Sequence, residues 1–181
     1  LIRKDIRGVG DGNPGTANAW KSGGWGPGIL CLILDTAKSY LPVYLATHQL
    51  VQTSEHTPQT GLALVALAPI MGHGWSPFLK FKGGKALAAS WGSWIAITGG
   101  AALPVALALL LPAQCLQKNH SVSITFCLMG LLVIFSAQQY QSFIALFWVA
   151  NMVVIAHKHW TEYGDGILVR DWVGKLGGKF A

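Results

Sequence analysis

Residues 72–85 read GHGWSPFLKFKGGK, a polar and glycine-rich stretch that lies between two apolar segments. It places a histidine, a serine and three lysines in one short turn. Lysine ammonium groups and the free N–H groups of a glycine-rich backbone both bind anionic oxygens. The stretch therefore predicts a phosphate-binding loop at the edge of a membrane.

The composition of the chain indicates a membrane protein. Of its 181 residues 52% are hydrophobic and 11% are charged, whereas a soluble domain has about 25% charged residues. We therefore expect an all-α, polytopic integral membrane helix bundle. Its continuous apolar runs predict six spans, near Gly26–His48, Gly61–Met71, Ala86–Thr98, Ala101–Leu116, Val122–Ser136 and Phe143–His157.

Most of these runs are shorter than the roughly 20 residues that cross a bilayer, so length alone favours re-entrant or buried segments. The placement of charge favours six crossings. If the spans alternate, one side holds the loops with Arg3–Lys21, Lys80–Lys85, Lys118 and Lys158, and the other side has Glu55 but no lysine or arginine. The lysine-rich side is then cytoplasmic. Merging the runs around residues 99–100 into one helix would move Lys118 to the opposite side, so six spans are retained.

Two classes of function are disfavoured by the distribution of residues. The net charge is +6, but the basic residues lie in short loops rather than in a stripe with aromatic residues, so we expect no nucleic-acid partner. The three cysteines have no spacing suited to zinc and lie in apolar runs, where they read as small core residues. We expect neither a metal nor a cofactor.

The first polar loop, Arg7–Lys21, has glycines that allow close backbone approach to a ligand and polar side chains that can bind one. Its candidate ligand-binding residues are Gly12, Asn13, Gly15, Asn18 and Lys21. A polar connection before a helix is the equally plausible alternative. A dinucleotide fold is excluded, since no strand–turn–helix context surrounds the loop. In the following span Asp35 and Lys38 share a helix face, and we expect them to form an ion pair. The role of this pair is either functional or purely structural.

The second loop, residues 72–85, is not a P-loop, because Leu79 and Ala86 stand where that motif needs glycine and serine or threonine. Its lysines could also merely satisfy the positive-inside bias. The third candidate is His157-Lys158-His159 at the end of the last span. Two histidines at i and i+2 are a poor metal pair on a helix, so phosphate contact is preferred over metal.

These features together resemble the bacterial membrane glycerol-3-phosphate acyltransferases that use acyl phosphate. The similarity includes the loop with Gly12-Asn13, Gly15 and Asn18, the Gly72–Lys85 loop, Ser123-Ile124-Thr125 and His157-Lys158, and it covers nearly the whole chain in order. The resemblance implies a single membrane acyltransferase-like domain over residues 1–181, with seven helices. Because the chain starts at Leu1, we expect the first helix to precede it. Residues 161–181 stay unassigned.

The resemblance also implies a reaction and a site. Such enzymes transfer a fatty acyl group from acyl phosphate to the 1-hydroxyl of glycerol 3-phosphate, giving lysophosphatidic acid for phospholipid synthesis. The expected partners are these two substrates and membrane lipids, and the expected location is the bacterial inner membrane with the active site facing the cytoplasm. Lys85, His157 and Asn18 are then the catalytic residues. Substrate and phosphate would be bound by Gly12, Asn13, Gly15, Lys21, His73, Lys82, Gly83, Gly84 and Ser123.

Several positions depart from the family pattern. Asp11 stands where serine is usual, Lys21 where arginine is usual and Trp160 where asparagine is usual. A carboxylate in a phosphate loop repels the ligand unless Arg7 or Lys21 compensates its charge. A catalytically silent paralogue that acts as a lipid-binding or scaffold protein is therefore the alternative. A transporter is less favoured, because the chain has no internal repeat and few charges within its spans.

Overall fold

The computed structural model describes residues 5–53, 59–137 and 143–173. Glu55, which the charge pattern places outside the cell, lies outside the described residues. Within these ranges the elements are α-helices, short 3-10 helices and one isolated antiparallel bridge, so the all-α prediction is confirmed. The α-helices are α1 (Thr16–Gly23), α2 (Trp25–Thr53), α3 (Gln59–Gly74), α4 (Leu87–Ile97), α5 (Ala102–Leu116), α6 (His120–Ala137) and α7 (Phe143–Lys158).

Each of the six predicted spans falls on one of the helices α2 to α7. Three segments of the described chain are long and apolar enough to cross a membrane: Trp25–His48, Gln59–Leu79 and His120–Ala137. Helices α4, α5 and α7 are also apolar but shorter. The protein is thus a membrane helix bundle, and the number of six crossings stays a prediction.

Helix α4 lies at the centre of the bundle and is hydrogen-bonded to three neighbours. Ser93 Oγ lies 2.8 Å from Ser39 Oγ of α2 and donates to the carbonyl of Ala66 in α3 at 2.7 Å. Ser90 and Asn151 of α7 exchange side-chain hydrogen bonds of 2.8 and 3.0 Å. In a medium without water such interhelical bonds contribute about 0.6–1.7 kcal/mol each. They fix α4 in position, and the candidate site lies at the start of this helix.

Close packing of α4 depends on one small and one large residue. A Cβ atom at Gly92 would lie 2.3 Å from the Thr36 carbonyl oxygen of α2, so only glycine lets these two helices approach so closely. Trp94 is fully buried and packs edge-on against Phe147 and beside Phe135, with ring centroids 5.2 and 6.2 Å away. The three aromatic rings form the apolar core between α4, α6 and α7.

The chain after α7 turns back along the connection between α5 and α6. Following a 3-10 helix at Trp160–Asp165, the backbone N–H of Lys118 donates to the Leu168 carbonyl at 2.6 Å. The backbone N–H of Arg170 donates to the Leu116 carbonyl at 2.9 Å. This return gives a structure to residues 161–173, which the sequence left unassigned, and it brings Glu162 to the end of the bundle where the polar loops lie.

Candidate active site

A cavity of about 570 Å³ opens where the polar loops meet. Its wall comes from six parts of the chain: residues 11–21, residues 32–35 of α2, the end of α3, residues 85–91, residues 118–120 and the segment after α7. The polar residues that line it are Asp11, Asn13, Thr16, Asn18, Lys21, Asp35, His73, Lys85, Trp91, Lys118, Asn119, His120, His159, Glu162 and Asp165.

Lys85 lies between two carboxylates in this cavity. Its Nζ donates to Asp11 Oδ2 on one side and to Glu162 Oε1 on the other. Burial acts to lower the pKa of Lys85, but the hydrogen bonds from its ammonium to Asp11 and Glu162 outweigh burial, so the pKa lies above its usual value. Lys85 is therefore fully charged at neutral pH, and two anionic groups compete for it.

Asp11 is held by several donors besides Lys85. The Asn18 side chain, which is almost fully buried, donates to Asp11 Oδ1 at 2.7 Å and to the Asn13 carbonyl at 2.9 Å. The backbone N–H of Asn13 donates to the same Asp11 oxygen at 3.2 Å. Burial acts to raise the pKa of Asp11, but the hydrogen bonds from Lys85, Asn13 and Asn18 lower it to about 2. This first loop already presents the donors that an external anion would use.

The source of charge compensation for Asp11 differs from the two candidates that the sequence suggested. Arg7 pairs with Asp5 at 2.9 Å, two residues away, and both side chains are exposed. Among the described residues, the cation that pairs with Asp11 is Lys85. A lysine 74 positions along the chain thus neutralises this carboxylate.

Gly83 and Gly84 allow the second loop to lie directly on His73. The backbone N–H of Gly84 donates to the His73 carbonyl at 3.2 Å. A Cβ atom at Gly83 would lie 2.1 Å from that carbonyl oxygen, and one at Gly84 would lie 2.2 Å from the His73 Nε2. On its other side, His73 Nδ1 is 3.7 Å from Asp35 Oδ1, and Asp35 accepts a 2.6 Å hydrogen bond from Lys38. The two glycines position Lys85, which follows them, at the cavity wall.

Glu162 links Lys85 to a buried pair of side chains. Its second carboxylate oxygen accepts from Ser121 Oγ and lies 3.1 Å from His159 Nδ1. Burial acts to raise the pKa of Glu162, but the hydrogen bonds from Lys85, Ser121 and His159 lower it to about 2. Asn119 donates to the Glu162 carbonyl at 2.7 Å and so fixes the turn that carries this carboxylate.

The structure brings six of the twelve predicted site residues to the cavity: Asn13, Gly15, Asn18, Lys21, His73 and Lys85. The other six do not line it. Gly83 and Gly84 lie behind the wall against His73, and Gly12 packs near the Arg7 carbonyl. Lys82 is exposed.

Two of the remaining predicted residues face other parts of the protein. The His157 ring stacks on Trp75 at a centroid distance of 5.6 Å, and the neighbouring Lys158 ammonium lies 4.2 Å from the centre of the same indole. Ser123 is buried in α6, and its Oγ donates at 3.3 Å to the carbonyl of Asn119, the residue before this helix. Their roles in binding or catalysis stay predictions.

Glu162 and Asn119 are two of the cavity-lining residues that the sequence motifs did not identify. Their contact with each other depends on the return of the chain after α7. No motif spacing in the sequence connects them. His159 was considered only as one half of a histidine pair. The one signal in the sequence that pointed to Glu162 was its position three residues after His159, since residues at that spacing share a face of a helical turn.

A family model described as glycerol-3-phosphate acyltransferase matches residues 1–164. Glycerol-3-phosphate acyltransferase from Neisseria meningitidis serogroup C is 32% identical over 97% of this chain and 85% of its own length. Glycerol-3-phosphate acyltransferase 1 from Thermotoga maritima is 43% identical over 52% of this chain and 45% of its own length, so this match spans less than half of that relative.

A solved structure has the same fold. The crystal structure of PlsY (YgiH), an integral membrane glycerol 3-phosphate acyltransferase in its glycerol 3-phosphate form, superimposes with a TM-score of 0.80. The match covers 96% of this chain and 86% of that one, at 21% sequence identity. At this identity the similarity establishes the fold of the membrane bundle.

Proposed function

This chain belongs to the glycerol-3-phosphate acyltransferase family, and we propose that it transfers a fatty acyl group from acyl phosphate to the 1-hydroxyl of glycerol 3-phosphate. The product is lysophosphatidic acid, for phospholipid synthesis, and residues 1–181 act as one membrane domain. The observation that carries the proposal is the placement of Lys85, Asn18, Asn13 and Lys21 around one cavity. These residues belong to two separate motifs of the family pattern.

The chemistry needs positioning and charge stabilisation rather than a covalent intermediate. Acyl phosphate is already activated, so the protein has to hold two anions close together and stabilise the negative charge that develops on the carbonyl oxygen. Lys85 provides a charge-assisted donor, and Lys21 and Lys118 provide two further cations at the same cavity. An incoming phosphate takes the place of the Asp11 carboxylate on Lys85 and on the Asn18 amide.

We assign the protein to the bacterial inner membrane, with the cavity facing the cytoplasm. The cavity-lining lysines Lys21, Lys85 and Lys118 all lie at one end of the bundle, and lysine-rich loops stay on the cytoplasmic side. A single cysteine at position 82 or 118, in a variant without native cysteines, should react with an impermeant maleimide only from the cytoplasmic side. If positions 82 and 118 reacted from opposite sides of the membrane, the result would contradict both this orientation and the six-span model.

Replacing Asp11 by serine should lower the KM for glycerol 3-phosphate. The substitution removes the carboxylate that occupies Lys85 and Asn18, and it removes the repulsion between that carboxylate and a doubly charged substrate. Initial rates over a range of glycerol 3-phosphate concentrations measure the change. Asp5→Ser is the matched control, because Asp5 pairs with Arg7 on the surface. A KM for glycerol 3-phosphate that is unchanged or higher in Asp11→Ser would contradict a phosphate site at Lys85.

The proposed activity is tested with the purified protein in lipid vesicles. Labelled glycerol 3-phosphate is supplied with palmitoyl phosphate in one reaction and palmitoyl-CoA in another, and lysophosphatidic acid and inorganic phosphate are both measured. We expect equal amounts of the two products with palmitoyl phosphate, and no lysophosphatidic acid with palmitoyl-CoA. No lysophosphatidic acid in either reaction would overturn the proposal and favour a silent paralogue.

A further inference from the structure

The short 3-10 turn after α3, Pro77–Leu79, and the residues that follow it carry large apolar side chains on the surface. Phe78 is 96% exposed, Phe81 is 63% exposed and Leu79 between them is 42% exposed. A contiguous apolar patch on the surface of a folded protein marks a place where another molecule is bound. The surface formed by residues 76–82 therefore has a partner outside the helix bundle.

Hydrogen bonds within the backbone hold this surface in a defined shape. The Ser76 carbonyl accepts from the backbone N–H of Leu79 at 3.0 Å and from that of Phe81 at 2.9 Å. The Pro77 carbonyl accepts from the backbone N–H of Lys80 at 3.1 Å. Lys80 and Phe81 have φ angles of 51° and 61°, in the left-handed region that residues other than glycine rarely adopt. Strain of this kind is typical of functional segments, so the outward position of the phenyl rings is a built feature.

The depth of residues 76–82 relative to a bilayer follows from the length of α3. This helix has 16 residues and is therefore about 24 Å long, whereas the hydrocarbon layer of a membrane is about 30 Å thick. The apolar segment that is long enough to cross continues past the helix, from Gln59 to Leu79. Phe78 and Leu79 thus complete the crossing, and the residues after them lie where acyl chains meet headgroups.

The charges of residues 76–82 fit an anionic layer of headgroups. Lys80 and Lys82 are both exposed and flank Phe81. Residues 72–85 contain neither aspartate nor glutamate, so no carboxylate of this stretch neutralises these lysines. Lysines at a membrane surface are attracted to anionic lipids. Apolar rings that alternate with such lysines therefore favour a lipid surface over a purely aqueous surrounding.

The end of α7 beside this surface has the same character. The Lys158 ammonium lies 4.2 Å from the centre of the Trp75 indole, which links the two helix ends. Trp160, two residues further along, is 75% exposed. Tryptophan is enriched where a membrane meets water, and lysine is frequent there on the cytoplasmic side. The ends of α3 and α7 thus lie at one interfacial level.

We propose that Phe78 and Phe81 insert into the acyl chains of the leaflet at the end of the bundle where the cavity opens. Lys80 and Lys82 bind the phosphates of anionic phospholipids in the same leaflet. This anchor leads directly into residues 83–85, so it holds that part of the cavity wall at the level of the headgroups. The inference does not depend on the proposed function, because it concerns binding of the bilayer alone.

Fluorescence quenching measures the depth of this anchor. In a variant without native cysteines, Phe78→Cys is labelled with an environment-sensitive fluorophore and inserted into vesicles of phosphatidylcholine and phosphatidylglycerol. We expect lipids with a spin label high on the acyl chain to quench the fluorophore, and aqueous iodide to have little effect. Asp5→Cys, at an exposed position of the first loop, is the matched control and should show the opposite pattern. If Phe78→Cys does not insert, Phe81→Cys is measured in the same way.

The role of the two lysines is tested with the fluorophore at position 78. Spin-labelled phosphatidylglycerol should quench it more strongly than the same amount of spin-labelled phosphatidylcholine, and high salt should reduce the difference. Replacing Lys80 and Lys82 together by glutamine should abolish the difference. Replacing the exposed Arg7 and Arg170 by glutamine removes the same charge from other segments and should preserve it. An equal difference in the two double variants, or none in the parent protein, would overturn lipid binding by these lysines.

Two quenching results would overturn insertion of the phenyl rings. Iodide quenching at position 78 as strong as at position 5 would place the anchor in water. Shielding from both iodide and spin-labelled lipid would mean that a protein covers it, for instance a second copy of this chain. If neither cysteine variant inserts, wild-type protein is crosslinked to phosphatidylglycerol that carries a photoactivatable group high on its acyl chain. Modified peptides should include residues 77–82, and modification at the exposed Leu116 of α5 without any there would overturn the inference.

Discussion

Replacing Lys85 by alanine should lower kcat/KM by about 10- to 150-fold, since a charged hydrogen bond to a bound anion contributes about 1.5–3 kcal/mol. The surroundings of Lys85 place the result toward the upper end of that range. Asp11 and Glu162 both contact its ammonium, and without it two carboxylates face the cavity and repel a phosphate. Initial rates of lysophosphatidic acid formation in vesicles measure the loss.

Lys80→Ala is the matched control for this substitution. Lys80 belongs to the same loop and has the same charge, but it does not line the cavity. We expect its removal to change kcat/KM by less than about threefold. Equal losses in the two variants, with both normally inserted, would mean that the loop acts through its overall charge, and the assignment of the site to Lys85 would be wrong.

Gly83→Ala should destabilise the protein and lower its activity at the same time. The added Cβ would lie 2.1 Å from the His73 carbonyl oxygen and 2.9 Å from the carbonyl carbon of Gly74. Both are backbone atoms and cannot rotate away, so the loop has to move from α3 and take Lys85 with it. Overpacking of this kind costs about 1–3 kcal/mol and sometimes more. The thermal unfolding midpoint of the detergent-solubilised protein measures the effect.

Gly72→Ala provides the comparison for Gly83→Ala. Gly72 lies in the last turn of α3, and a Cβ atom there would have no neighbour within 4 Å. The substitution should leave the midpoint unchanged or raise it slightly, because alanine is the better helix former. Equal midpoints for the two variants would show that Gly83 is not packed against His73 as described.

The positions of the helices could be predicted from the sequence because each is a nearly uninterrupted apolar run. Helices α2 to α7 lie on the six predicted segments. Apolar periodicity carries no information about which helix occupies the centre, however. The central place of α4 depends on the fit of Gly92 against α2 and on polar links such as Ser93 to Ala66, and these are visible only once the helices are packed.

The site was predictable where its residues lie in compact motifs. Asn18 and Lys85 were selected from two glycine-rich loops, and both line the cavity. The partner of Asp11 was not predictable, because Arg7 is nearer in sequence but is bound by Asp5. Glu162 was missed for a related reason. It reaches Lys85 only because the chain after α7 turns back along the α5–α6 connection, which is a tertiary event without a sequence motif.

The most direct test of the account is a structure of the protein with glycerol 3-phosphate bound. We expect the phosphate within hydrogen-bond distance of Lys85 Nζ and the Asn18 amide, with the Asp11 carboxylate displaced from both. A phosphate bound elsewhere, for instance at Lys158 and Trp75, with the contacts from Lys85 to Asp11 and Glu162 intact, would contradict the assignment of this cavity as the substrate site.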